Sequence, residues 1–94
     1  AVLFTLGQNY PNPYGRARGN GTVIPFYLAT NAHVNLRVYD ALGRTVAILV
    51  DGYVHAGYHQ SALSARTAGI LRPGVYAYEL LVNGEKTVRK MIVQ

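Results

Sequence analysis

Arg72-Pro73-Gly74-Val75-Tyr76-Ala77-Tyr78-Glu79-Leu80-Leu81-Val82-Asn83-Gly84-Glu85-Lys86-Thr87-Val88-Arg89-Lys90-Met91-Ile92-Val93-Gln94 is the stretch that decides the fold. Two runs of β-branched, aromatic and aliphatic residues flank Asn83-Gly84, a pair suited to the positive φ angles of a two-residue type I′ turn. A hairpin closed there sets Val82 opposite Glu85, Leu80 opposite Thr87, Tyr78 opposite Arg89 and Tyr76 opposite Met91. Tyr76, Tyr78, Leu80, Met91 and Val93 form the predicted core side. The other face carries Val75, Ala77, Glu79, Leu81, Lys86, Val88, Lys90 and Ile92, with Glu79 expected to pair diagonally with Lys86 and Lys90. A slip of one residue would exchange the two faces. Arg89 falls on the inner side, and its guanidinium must reach out past the edge.

Upstream, Phe4-Thr5-Leu6 is a short apolar run, and Gln8-Asn9-Tyr10-Pro11-Asn12-Pro13 reads as an opening segment and turn, because proline donates no ladder bond. Gly15 to Gly21 reads as an exposed polar loop. Thr22 to Ala29 alternates, with Ile24, Phe26 and Leu28 on one side, and Pro25 implies an edge strand or a bulge. Val34, Leu36 and Val38 give His33 to Tyr39 the period of a half-buried strand. Asp40-Ala41-Leu42-Gly43 is the next turn. Arg44 to Val50 is a strand, Asp51-Gly52 a turn signal, and Gly57 to Leu63 a further strand. Ser64 to Leu71 is the one stretch able to hold a helical turn. Seven short extended segments predict an all-β, immunoglobulin-like sandwich of about seven antiparallel strands.

Ninety-four residues bound the chain to one domain, 1–94, with a single core. Half the residues are apolar and 14% are charged, which excludes disorder, and the lack of cysteine excludes a disulfide framework. The net charge of +5 is spread along the chain rather than gathered into a stripe, so no nucleic-acid partner is expected. No apolar run approaches the ~20 residues of a membrane span. No signal peptide opens these residues, so an export address is expected elsewhere in the protein.

Catalytic chemistry is not legible. His55 and His59 stand four residues apart, which on a strand is about 13 Å, too far for one ion to bridge. Ser61 and Ser64 lack a nucleophile elbow. Glu79 and Glu85 project from different faces of the hairpin. The Arg16 to Asn20 loop has neither a Walker spacing nor a following helix. No metal or cofactor is expected. Tyr27, Tyr39, Tyr53 and Tyr58 suit cross-strand packing better than a carbohydrate platform.

Five ordered blocks carry a resemblance: Phe4-Thr5-Leu6-Gly7-Gln8-Asn9-Tyr10-Pro11-Asn12-Pro13; Val34-x-Leu36-x-Val38-Tyr39-Asp40-x-x-Gly43-Arg44-x-Val46; Ala56-Gly57-x-His59; Pro73-Gly74-Val75-Tyr76-x-Tyr78-x-Leu80; and Arg89-Lys90-Met91-Ile92-Val93. Together they resemble the type A C-terminal sorting domain of the Bacteroidetes type IX secretion system. The chain departs from the family's usual pattern where Tyr14 to Gly21 intervenes before Thr22, and where Ser61-Ala62-Leu63 replaces an aromatic residue.

The resemblance implies a non-catalytic signal at the end of a larger exported protein, often a hydrolase, that directs its cargo from periplasm to cell surface. The implied partners are the N-terminal cargo domain, type IX translocon components and a sortase-like peptidase that processes or anchors the protein at the outer membrane. The positions matching the family's sorting signal are Gly74, Val75, Tyr76, Gly84, Lys90, Met91, Ile92 and Val93. Gly74 is expected to permit close approach beside Val93. The chain has two other resemblances: to the immunoglobulin-like structural module of the flagellar hook-cap protein, which shares the Tyr39-Asp40 and Gly74-Val75-Tyr76 blocks, and to a carbohydrate-binding module of a glycosidase, which rests on the tyrosines.

Overall fold

The alternation read from the sequence folds into two antiparallel sheets in a computed structural model that describes residues 3–10, 21–63 and 72–93. The strands are β1 (Phe4–Leu6), β2 (Thr22–Leu28), β3 (Ala32–Tyr39), β4 (Thr45–Val54), β5 (Gly57–Leu63), β6 (Gly74–Val82) and β7 (Glu85–Val93). One sheet has the order β1-β2-β5 and the other β4-β3-β6-β7. No helix occurs among the described residues. The expected polar loop up to Asn20 and the Ser64 to Leu71 stretch lie outside them.

Period two places one face of each sheet in a shared core. Ile24, Phe26 and Leu28 meet Val34, Leu36 and Val38 from β3 and Tyr76, Tyr78, Leu80, Met91 and Val93 from the hairpin, all buried. The hairpin register is the one the Asn-Gly turn dictates, with Val82 against Glu85 and Gly74 against Val93. Asn83 at φ 48° and Gly84 at φ 87° make the turn.

Three expectations are corrected. Pro25 lies in the central strand of its sheet, without a bulge. Gly7 N donates to Pro25 O at 2.9 Å. In an antiparallel pair, a residue bonded through its carbonyl points its nitrogen the same way. The missing proline donor therefore faces Gly7, just past the end of β1, and costs the β2–β5 ladder nothing. Second, Asp51-Gly52 is no turn: Asp51 pairs with Asn35 and Gly52 with Val34, and β4 runs on to Val54. Third, the Glu79 ion pairs do not form. Val88 stands directly opposite Glu79, and Glu79 Oε1 instead accepts the Tyr39 hydroxyl at 3.5 Å.

The β3–β4 turn is held by Asp40. Its Oδ1 accepts the backbone N–H groups of Leu42 and Arg44, each at 2.9 Å, and its Oδ2 accepts Arg44 Nε at 2.8 Å. The Arg44 backbone bond is the main cause that lowers its carboxyl from an ordinary 3.8. A lowered pKa stabilises the fold above the unfolded value, and that contribution is lost as the pH falls through the folded one. Asp40→Asn should therefore melt below the parent at pH 7, and the gap should narrow as the pH falls below 3.8. Thermal melts across that range check it; a gap independent of pH would mean the charge has no part.

Candidate recognition edge

Among the described residues the hairpin leaves one side of β7 without a neighbouring strand, since β7 ends its sheet. In a two-residue hairpin the pair flanking the turn exchanges both ladder bonds, and every second pair thereafter does so too. Glu85, Thr87, Arg89, Met91 and Val93 thus spend their backbone groups on β6. Lys86, Val88 and Lys90 turn theirs outward, within nine unbroken positions of register. Their side chains share the outer face with that of Ile92, where Val88 is 51% and Ile92 44% exposed.

The opposite edge of this sheet is built differently. Leu36 pairs with Val50 but Arg37 with Ile48, and Val38 pairs with Ala47 but Tyr39 with Thr45. Leu49 and Val46 are therefore extra residues, two bulges that break the regular row of outward groups on β4. A strand laid along β4 would lose register twice, whereas along β7 it would not.

A polar clamp fixes β7 against the other sheet. Pro25 leaves the Gly7 carbonyl without its ladder donor, and the Tyr78 hydroxyl supplies one at 2.8 Å. The same hydroxyl accepts Asn9 N at 2.8 Å. Asn9, buried, donates through Nδ2 to Thr22 Oγ1 at 3.0 Å. Gln8 Nε2 bonds Asn9 Oδ1 at 2.7 Å and the outward Lys90 carbonyl at 3.0 Å. Arg89 reaches out of the inner face, as its position requires, and gives Nε to Leu6 O at 2.7 Å. Burial raises the Tyr78 phenol above its ordinary 10.0, against the lowering effect of the Asn9 bond, so the hydroxyl remains a donor through the neutral range. Gly7 fits here because a Cβ would stand 2.7 Å from Pro25 Cγ.

The eight residues matching the sorting signal divide by this geometry. Tyr76, Met91 and Val93 are buried in the core, where they hold the strand rather than meet a partner. Gly84 makes the turn. Val75, 51% exposed, and Ile92 face each other on the outer surface beside Lys90. Gly74 does pair with Val93, but a Cβ on it would meet nothing within 4 Å. Its φ of 154°, not close approach, sets the glycine. Gln8, Asn9 and Tyr78 escaped the sequence reading as a unit; the nearest signal was a proline within an otherwise regular strand, which orphans a carbonyl across the ladder.

The other candidates are dispersed. His59 stacks on Phe26 at 5.2 Å between ring centroids and bonds the His55 carbonyl at 2.6 Å. Among the described residues no three His, Cys, Asp or Glu gather to hold a metal. Tyr27 and Tyr58 are direct cross-strand neighbours with ring centroids 4.8 Å apart, the packing expected of them. No described helix is long and apolar enough to cross a membrane.

The family model for the secretion system C-terminal sorting domain matches residues 8–94. No curated protein matches the chain. Among solved structures, PorZ, an essential bacterial surface component of the type IX secretion system of Porphyromonas gingivalis, superposes with a TM-score of 0.63 at 19% identity over 99% of this chain. The alkylpurine DNA glycosylase AlkC of Pseudomonas fluorescens superposes with a TM-score of 0.60 at 15% identity over the whole of it. This chain spans 11% of the PorZ chain and 31% of the AlkC chain, and both likenesses concern the fold. The family match decides among the three resemblances. The chain belongs to the secretion system C-terminal sorting domain family, the sorting signals of type IX secretion, whose role is non-catalytic and whose bearers are secreted or cell-surface proteins.

Proposed function

We propose that residues 1–94 form a single sorting and attachment domain at the end of a larger exported protein, read by a type IX translocon component through strand addition along β7. The observation that carries this reading is the contrast between the two edges of the larger sheet: β7 keeps an unbroken register with Lys86, Val88 and Lys90 turned outward, and β4 is twice bulged. A receptor for unrelated cargoes needs a feature that does not depend on the cargo, and main-chain bonding to an edge strand is one. Side chains of Val75, Lys90 and Ile92 supply selectivity on the outer face. Tyr76, Gly84, Met91, Val93 and Gly74 act by holding β7 in register. An arriving strand competes with Gln8 for the Lys90 carbonyl. After passage, a sortase-like peptidase removes the domain or leaves the protein attached to the outer membrane; the domain contributes no catalysis.

The test is to join residues 1–94 to an inert reporter that carries a signal peptide, and to express it in a cell with a working type IX system. The reporter should reach the cell surface, and should do so equally with Arg16 and Arg18 replaced by serine. Retention of the unmodified fusion in the periplasm would contradict the proposal.

A further inference from the structure

We infer that the strand accepted by β7 is acidic, with carboxylates opposite Lys86 and Lys90 and an apolar side chain opposite Val88. This rests on the edge reading above and adds the chemistry of the partner. Along the outer row cation and apolar group alternate: Lys86, Val88, Lys90, Ile92. The two lysines are four strand residues apart, about 13 Å. Neither meets a carboxylate within ion-pair distance among the described residues. Asp40 is taken by Arg44, Glu79 by Tyr39, Asp51 lies across the sheet beside Asn35, and Glu85 sits on the other face of β7 at the turn.

Directly opposed residues of adjacent strands stand about 5 Å apart, where opposite charges attract and like charges repel. The period of the row matches a strand, whose successive same-face side chains recur every second residue. A layer of lipid headgroups has no such period and would leave Val88 unmatched. A second copy of β7 is disfavoured by the same row, since antiparallel pairing centred on Val88 would set Lys86 against Lys90 at both ends. The lysines thus disfavour that self-pairing and select an acidic strand at once.

Two labelled nine-residue peptides test this on the 94-residue chain by fluorescence anisotropy. One alternates glutamate and valine at every second position with threonine between, and the other has lysine for glutamate. The acidic peptide should bind about tenfold or more tightly than the basic one, and less so as salt rises. The double variant Lys86→Glu, Lys90→Glu should reverse that preference. Equal binding of the two peptides, binding of neither, or a preference that survives charge reversal overturns the inference. So does binding of anionic lipid vesicles that competes away the acidic peptide.

Val88→Pro separates this from the edge reading, because it removes an outward N–H and leaves both lysines. If the proline abolishes binding of both peptides while charge reversal changes nothing, the edge reading stands and the acidic partner falls. If the acidic peptide binds the proline variant undiminished, the edge reading falls.

Discussion

Tyr78→Phe should destabilise the domain by about 2–4 kcal/mol, because one hydroxyl serves the buried Asn9 amide and the partly buried Gly7 carbonyl, and a group left unsatisfied costs about 1–3 kcal/mol. Tyr78 and Asn9 are both buried, so solvent does not replace the partner that the Asn9 amide loses. Gly7 O loses its donor at 2.8 Å and Asn9 N its acceptor at 2.8 Å. The ring itself remains, so no cavity of consequence forms. Denaturant unfolding of parent and variant measures the difference. The cause is separable. Pro25→Val restores a backbone N–H aimed at Gly7 O, and in that background the Tyr78→Phe penalty should shrink by about 1 kcal/mol. An unchanged penalty would mean the hydroxyl does not stand in for the missing ladder donor. Since burial raises the phenol, its contribution is fully present below pH 10.0 and is lost as the pH rises through the higher folded value.

This clamp matters to the signal because it orients the strand. Arg89 and Lys90 are the β7 residues it grips, through Leu6 O and Gln8 Nε2. The opening segment of the domain and its last described strand are therefore one mechanical unit, although 82 positions separate Gln8 from Lys90 in the chain.

What the sequence disclosed and what it withheld follow a physical line. The hairpin was legible to the residue, because Asn83-Gly84 admits one turn type, that turn fixes one register, and the register assigns every side chain to a face. Inner and outer residues of β2 and β3 were legible from period two alone. Pro25 misled because the side to which a strand residue turns its nitrogen depends on its neighbours, which the local sequence does not state. The bulges at Val46 and Leu49 left no mark for the same reason, being defined only against β3. Asp51-Gly52 misled because a turn pair inside a strand obeys its partners. The Gln8, Asn9 and Tyr78 cluster joins sheets across a distance no periodicity encodes; the resemblance marked its residues without giving their task.

Of the residues on the exposed edge, Val88 offers the most direct test that the outer backbone of β7 is what the export machinery reads. Its N–H points away from β6, since Val88 faces Glu79 in a non-bonded pair, so a proline there removes no internal ladder bond. Proline is tolerated on edge strands for this reason, and Val88 is 51% exposed, so the cost to stability should be about 1 kcal/mol or less. An incoming strand, by contrast, loses a donor and meets the ring at its centre. Removing Met91 to Val93 instead would not discriminate, because two of those residues are core. The measurement is the surface fraction of a reporter joined to the domain with Val88→Pro, beside Val88→Thr, which keeps the N–H, and beside denaturant unfolding of both purified variants. Both variants should fold; the threonine reporter should reach the surface normally, and the proline reporter should fall about tenfold or more and collect in the periplasm. A folded Val88→Pro domain that delivers its reporter at the parent rate would contradict recognition by strand addition at β7.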